Sequence, residues 1–290
     1  MKGRLSIITA MLIFGSVGVF VKKISLSSSE IALLRAIIGS LFLIIISFAL
    51  KKKLSFKDIK KNSMLLLLSG TAIGVNWILL FQAYKYTTVS NATLSYYFAP
   101  VFVIILAPVV LKEKLTSLKA GCSGLAMLGL FLIVNVRTDA SQVLYNHKIG
   151  IVYGIAAAAL YSSVIIMNKF IKDLSGFEIT LVQLICAAFV LLPYVYARDG
   201  MDFSGITSDS IIFVLILGIV HTGIAYYLYF SAFRELKGQT IAVLSYVDPV
   251  SAVIIAAIFL REKMSFTQII GGILILGSTF LSEKLENSNK

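Results

Sequence analysis

A chain of 290 residues that is 58% hydrophobic, 14% charged and has a mean hydropathy of +0.93 falls well short of the charge content of a soluble domain, which is about 25%. That deficit excludes an ordinary water-facing surface and indicates an integral membrane protein. The formal net charge of +12 sits in short segments between apolar runs, so a positive-inside bias explains it and a nucleic-acid partner is excluded.

The first apolar run, 5–21, follows Lys2 and Arg4 and has the outline of a secretory signal. Its cleavage-site pattern of small residues is weak and more runs follow, so it reads as a first transmembrane helix. A span needs about 17–25 mainly apolar residues. Nine further runs qualify: 31–50, 64–84, 90–111, 117–136, 149–168, 178–197, 210–233, 239–260 and 266–282. The second carries Arg35 near one end, where the side chain can snorkel to the interface. The third holds Asn76 and Trp77, and the fourth holds Ser95, Tyr96, Tyr97, Pro100 and Pro108. Cys122 and Cys186 lie inside the fifth and seventh runs with neither metal-ligand nor disulfide spacing, and read as packing residues. The sixth and seventh runs add Asn168, Gln183 and Pro193. The eighth contains His221 and Tyr226, and the ninth Tyr246, Asp248 and Pro249. Connections are short, and the most basic is 51–61, read as a membrane-surface anchor.

Two blocks repeat at a spacing of 149 positions. Tyr97-Phe-Ala-Pro100-Val101, running on to Leu111-Lys112-Glu113-Lys114, recurs as Tyr246-Val-Asp-Pro249-Val250, running on to Leu260-Arg261-Glu262-Lys263. The repeat divides the chain into 5–136 and 149–282, five spans each. Placing both termini in the cytoplasm puts 17 basic residues inside and 8 outside, with Arg35 within a span. Because five is odd, the second half then enters the membrane with opposite polarity. The expected architecture is an all-α integral membrane protein of ten transmembrane helices in two inverted five-helix repeats, a signature of secondary transporters.

These features resemble the EamA type of the drug/metabolite transporter superfamily. The likeness rests on five-plus-five spans and on the proline of each fourth span followed by a Glu-containing turn. It also rests on the glycines of each closing span (Gly121, Gly124 and Gly129; Gly271, Gly272 and Gly277) and on the place of Arg35 in Leu-Leu-Arg-Ala. It covers essentially the whole chain. The family turn often has Gly before its Glu, whereas here Lys112 and Arg261 stand there. The resemblance implies a ten-helix bundle around a central cavity that moves small metabolites, amino acids or drugs.

Asp248 is the leading site candidate. A carboxylate at mid-membrane costs at least about 2.5–3.5 kcal/mol on insertion scales, and its repeat counterpart is Ala99, so the scaffold does not demand an acid there. It reads as a proton-coupling or cation-binding group, or as a structural partner for Arg35 or a helix-break hydrogen bond. Arg35 reads as a contact for a carboxylate or phosphate, or as the other half of that pair. Pro100 and Pro249 each remove a helical hydrogen bond and are expected to break their helices at mid-membrane. His221, Ala225 and Tyr229 fall on one helical face, so His221 is either a proton relay or a neutral core residue. Trp77, Tyr96, Tyr97, Tyr226 and Tyr246 form a deep aromatic set that cages an organic cation, stacks on an aromatic or apolar substrate, or packs the bundle. Asn76, Asn168, Gln183 and Ser95 add hydrogen-bonding groups. A lone His gives no metal site, and no nucleotide-binding loop or hydrolase motif is present, so no metal, cofactor or enzymatic activity is expected.

The expected function is secondary transport of a small organic metabolite, amino acid or drug, with export favoured and proton coupling one option. An uncoupled facilitator or exchanger is the alternative, and a membrane scaffold or receptor a more distant one. The expected setting is a bacterial cytoplasmic membrane, with both termini cytoplasmic. Its partners there are the lipid bilayer and a small-molecule substrate, and the state is monomer or homodimer.

Overall fold

Backbone that crosses a bilayer finds no water for its N–H and C=O groups, and a helix satisfies them within the segment. Accordingly, in the computed structural model every regular element of the described residues is helical; these residues are 2–52, 54–112, 117–134, 146–200, 206–232, 235–236 and 238–288. The first half comprises α1 (Lys2–Lys22), α2 (Ser28–Ala49), α3 (Phe56–Lys61), α4 (Ser63–Tyr86), α5 (Val89–Tyr96), α6 (Ala99–Val110) and α7 (Ser117–Val134). The second comprises α8 (His147–Phe170), α9 (Gly176–Asp199), α10 (Ser208–Gly218), a π-helical turn (Ile219–Ile224), α11 (Ala225–Ala232), α12 (Gly238–Ser245), α13 (Val247–Phe259) and α14 (Phe266–Ser288). Among the described residues seven helical segments are long and apolar enough to cross a membrane: Lys2–Lys22, Ser28–Ala49, Ser63–Tyr86, Val89–Val110, His147–Phe170, Gly176–Asp199 and Ser208–Ala232. Shorter apolar helices cover Ala120–Ile133, Val247–Phe259 and Phe266–Ser278. Large apolar side chains such as Phe131, Phe189 and Ile258 stand exposed on the outside of the bundle, a surface suited to lipid and not to water. The expected turn residues Glu113 and Lys114, and residues 135 and 136 at the end of the fifth run, lie outside the described residues.

Side-chain bonds between helix ends define two faces. On one, Glu235 accepts from the Gly3 N–H (2.7 Å), Lys61 pairs with Asp173 (3.0 Å), and Asn62 donates to the Lys172 carbonyl (3.0 Å). We call this the N-terminal face. On the far face, the Ser25 N–H donates to Ser210 (3.0 Å), Ser27 and Ser29 donate to Asp199 (3.0 and 2.6 Å), and Gln268 donates to Asn91 (2.9 Å). Both α2 and α9 begin with capping boxes, Ser27 with Glu30 and Ser175 with Glu178.

The fourth run breaks at Tyr97–Phe98 into α5 and α6, and the ninth breaks at Tyr246 into α12 and α13. The expectation that each proline removes a helical hydrogen bond needs correction. Pro100 is the second residue of α6 and Pro249 the third of α13, where a missing N–H breaks no intrahelical bond. The prolines therefore start new helices at breaks already made.

The glycines of the closing spans separate into two groups, apart from Gly272, whose Cβ would meet the Leu94 side chain at 3.1 Å. Gly129 of α7 and Gly271 of α14 cross so closely that a Cβ on either would lie 2.6 Å from the other's carbonyl oxygen, which joins the two halves within one chain. Gly121, Gly124 and Gly277 face open space. The turn residues Lys112 and Arg261 both take left-handed backbone (φ 55° and 54°), which accounts for the glycine common at this position in the resembling family.

Candidate functional site

The central site is built on α2, α4, the α5–α6 and α12–α13 breaks, and the π-helical turn. Gly39 of α2 lets that turn approach, because a Cβ there would overlap the Thr222 methyl. One turn earlier on α2, the Arg35 Nε donates to Thr222 Oγ1 (2.8 Å), and Thr222 in turn donates to the Leu217 carbonyl (3.0 Å). The guanidinium carbon lies 4.2 Å from the Trp77 ring centre and 5.8 Å from that of Phe81. Arg35 is 4% exposed, so the expectation of snorkelling is corrected. Stacking on Trp77 and a bond to Thr222 replace part of the lost hydration, and both lie toward the bundle interior.

Asp248 sits in the first turn of α13, half-buried. Its Oδ2 accepts from the Tyr97 hydroxyl at 2.6 Å. Gly15 of α1 admits this turn, since a Cβ at 15 would lie 2.8 Å from the Asp248 carbonyl oxygen. Among the described residues no nitrogen of Arg35 comes within 4.0 Å of the Asp248 carboxylate, yet the two charges are near enough to interact electrostatically. Tyr226, Tyr84 and Tyr96 are within the same electrostatic reach of Arg35, and Tyr161 is within reach of Asp248. Tyr96 packs against Tyr97 (6.2 Å between ring centres) and Tyr161 (5.5 Å).

The other expected residues divide between this cluster and its supports. His221 is buried beside it, with Nε2 2.8 Å from Ser16 Oγ, Nδ1 3.3 Å from the Ile216 carbonyl, and Phe20 edge-on at 4.8 Å. The single regular helical face expected for His221, Ala225 and Tyr229 is corrected, because the π-helical turn widens the winding there. His221 and Tyr229 nevertheless both meet α1, at Ser16 and Phe14. Asn76 donates to the Ala157 carbonyl (2.6 Å) and ties α4 to α8. Gln183 bridges Ser69 (2.7 Å) and Asn168 (2.8 Å), and Ser95 donates to its own helix at Asn91. Tyr246 packs edge-on to Phe280 of α14 (5.5 Å). The repeat partners therefore diverge: Tyr97 binds Asp248 while Tyr246 packs on a closing span. Sequence reasoning missed Thr222, Tyr161, Tyr84 and Phe81. The signal for Thr222 was its place beside His221 and before Gly223 in an apolar run, since small residues in such runs mark close helix contacts.

A cavity of about 640 Å³ opens on the N-terminal face, lined by Leu50, Lys52, Leu54, Ser175, Gly176, Phe177, Glu178, Tyr227, Phe230 and Ser231. Lys52 Nζ lies 3.6 Å from the Phe177 ring centre. Phe230 stacks on Tyr226 (6.1 Å, 17° between planes), so a wall of this vestibule backs onto the central cluster. Among the described residues no group of three His, Cys, Asp or Glu side chains is placed to hold a metal ion. A buried cation and a carboxylate set among tyrosines can hold a small charged organic molecule.

Comparison with known proteins bears on this arrangement. A profile of the EamA-like transporter family matches residues 1–135 and again 148–283. An uncharacterized transporter, YxxF, of Bacillus subtilis (strain 168) is 28% identical over 96% of this chain and 88% of its own length. An uncharacterized transporter of Archaeoglobus fulgidus is 26% identical over 97% of this chain and 96% of its own. Mouse solute carrier family 35 member G1 is 23% identical over 92% of this chain and 74% of its own. A crystal structure with a TM-score of 0.66 and 16% identity covers 99% of this chain and 98% of its own, a likeness of fold. With profile matches that together span nearly the whole sequence, transporter relatives and many apolar helices, this chain belongs to the EamA-like transporter family and is a multi-pass membrane transporter, not an enzyme.

Proposed function

We propose that this protein is a secondary transporter that exports a small organic metabolite carrying both a positive and a negative group, amino acids among them, by alternating access. The observation that carries this reading is the pair Arg35 and Asp248. Each holds its own protein partner, Thr222 for one and Tyr97 for the other, and they form no direct ion pair. Opposite charges kept apart in a buried site leave a complementary dipole for a ligand to fill. Arg35 receives the anionic end, Asp248 the cationic end, and Trp77, Tyr96, Tyr97 and Tyr226 face the body of the molecule. The seven long helices and the shorter apolar ones make up ten spans in two inverted halves, 5–136 and 149–282, which rock about this centre. The setting is a bacterial cytoplasmic membrane with both termini in the cytoplasm, so the vestibule beside Lys52 faces the cytoplasm and collects substrate there.

In this reading Asp248 alternates between substrate and proton, which couples export to proton entry. Flux from proteoliposomes under an imposed pH gradient tests it. Asp248→Asn should weaken thermal stabilisation by substrate, because it removes the charge that receives the cationic end, and should lose the dependence of flux on the gradient. Coupled flux that persists in Asp248→Asn sinks the proton role. A second reading, an uncoupled facilitator or exchanger in which Asp248 only binds substrate, is favoured by the 2.6 Å bond from Tyr97, which keeps the carboxylate partnered at rest. It predicts equal flux with and without the gradient in the parent protein.

A further inference from the structure

Outside the central cluster, the carboxylate of Glu262 gathers three helices at the far face. Its Oε1 accepts from the Val89 N–H (2.7 Å), and its Oε2 accepts from the Ser90 N–H (3.1 Å) and the Ser90 hydroxyl (3.0 Å). Lys22 Nζ stands 3.5 Å from Oε1. The Glu262 side chain is 6% exposed and that of Lys22 12%, so the cluster is shielded from water and weakly screened. Lys22 ends α1, Val89 and Ser90 begin α5, and Glu262 follows α13.

An ordinary helix cap does not explain this arrangement. The N-terminus of α5 already has its own cap, with Thr88 Oγ1 accepting from the Asn91 N–H at 3.1 Å. Glu262 takes the two preceding N–H groups, those of Val89 and Ser90, from more than 170 positions away, across the boundary between the two halves. The left-handed backbone of Arg261 (φ 54°) is what turns Glu262 back under the bundle. The same two helices are tied again at their opposite ends by Tyr97, which follows α5, and Asp248 in the first turn of α13. α5 and α13 are thus pinned at both ends on the far side, while the N-terminal face holds the open vestibule of about 640 Å³. Any rocking of one half against the other must separate Glu262 from Val89, Ser90 and Lys22.

We propose that Glu262 is a latch that closes the far-face entrance of the transport path, and that its release from Lys22 and the α5 N-terminus opens that entrance. The inference rests on the alternating-access reading but not on the substrate assigned to it. The carboxylate, when freed, and the α5 amides gain water as they part, which offsets part of the bonds lost. The latch sets which of the two states is populated.

Thiol labelling of the full chain in lipid nanodiscs tests the proposal without any substrate, so a failed latch and a wrong substrate are distinguishable. In a background of Cys122→Ala and Cys186→Ala, Ala256→Cys reports on the closed side and Ser231→Cys on the vestibule. Ala256 is fully buried, in the main core cluster that also holds Val21 and Val89, and Ser231 lines the cavity. Adding Glu262→Ala should speed labelling at position 256 by about tenfold or more and slow it at position 231, since a change of that size in the equilibrium moves both populations together. Unchanged rates at both positions, in a variant that still unfolds cooperatively, would overturn the latch and leave a structural cap. If Glu262→Ala does not fold, Lys22→Met leaves both helix caps in place and is read in the same way. Faster labelling at 256 supports the latch, and unchanged labelling overturns it.

Discussion

A guanidinium carried into a membrane bundle must recover the hydration it loses, and Arg35 does so with one hydrogen bond and one aromatic face. Lysine has no planar group to stack on Trp77 and no fixed fork of donors. Arg35→Lys should therefore keep the charge yet weaken substrate binding by about 10–100-fold, the equivalent of one hydrogen bond to a charged group at about 1.5–3 kcal/mol. Ligand-induced thermal shifts of the two proteins measure this. Equal shifts would mean that Arg35 only braces α2 against the π-helical turn. Position 35 was visible in the sequence as a charge in an apolar run, but its partner was not. Residues 35 and 222 lie on helices from different halves, and nothing local to either specifies that contact.

At the scale of elements, helix approach decides where a side chain is tolerated. Gly271→Ala adds a methyl that would meet the Gly129 carbonyl at 2.6 Å, so α7 and α14 must separate. We expect a loss of about 1–3 kcal/mol, the usual cost of overpacking, seen as a lower unfolding temperature in detergent. Gly124→Ala, on the open side of α7, meets nothing within 4 Å and should be neutral or raise stability by up to about 1 kcal/mol through the unfolded chain. Equal effects at the two sites would contradict the α7–α14 crossing. The glycine pattern was legible as a small-residue stripe, and the stripe did not reveal whether it joined two halves or two molecules. The breaks at Tyr97–Phe98 and Tyr246 were half-legible in the same sense. The prolines marked the neighbourhood, but a proline in a first turn and a proline in mid-helix look alike in sequence.

For the whole molecule, the distribution of charge should set orientation. The N-terminal face carries α3 with Lys57, Lys60 and Lys61, next to Lys51 and Lys52. A cytoplasm-active reporter fused after Lys290 should therefore be active, and an export-dependent reporter at the same place silent. The opposite pattern would invert the direction assigned to the vestibule. Replacing Lys51, Lys52, Lys57, Lys60 and Lys61 with Gln should produce a mixed population, because that segment holds the largest share of the bias.

The sequence by itself determined that the chain is helical, crosses a membrane repeatedly and belongs with transporters. Each of these follows from local quantities: the length of apolar runs, the scarcity of charge and motifs repeated at fixed spacing. It also singled out Arg35, Asp248 and His221, because an ionisable group in an apolar run stands out in one dimension. Only the tertiary structure decided that Arg35 stacks on Trp77 without pairing with Asp248 and that Tyr97 holds the carboxylate. It also decided that Tyr246 packs on α14 and that Glu262 binds the start of α5. Those outcomes depend on which helix faces meet and at what rotation. That choice is made by close packing among residues far apart in the chain, and many pairings are compatible with the same apolar pattern.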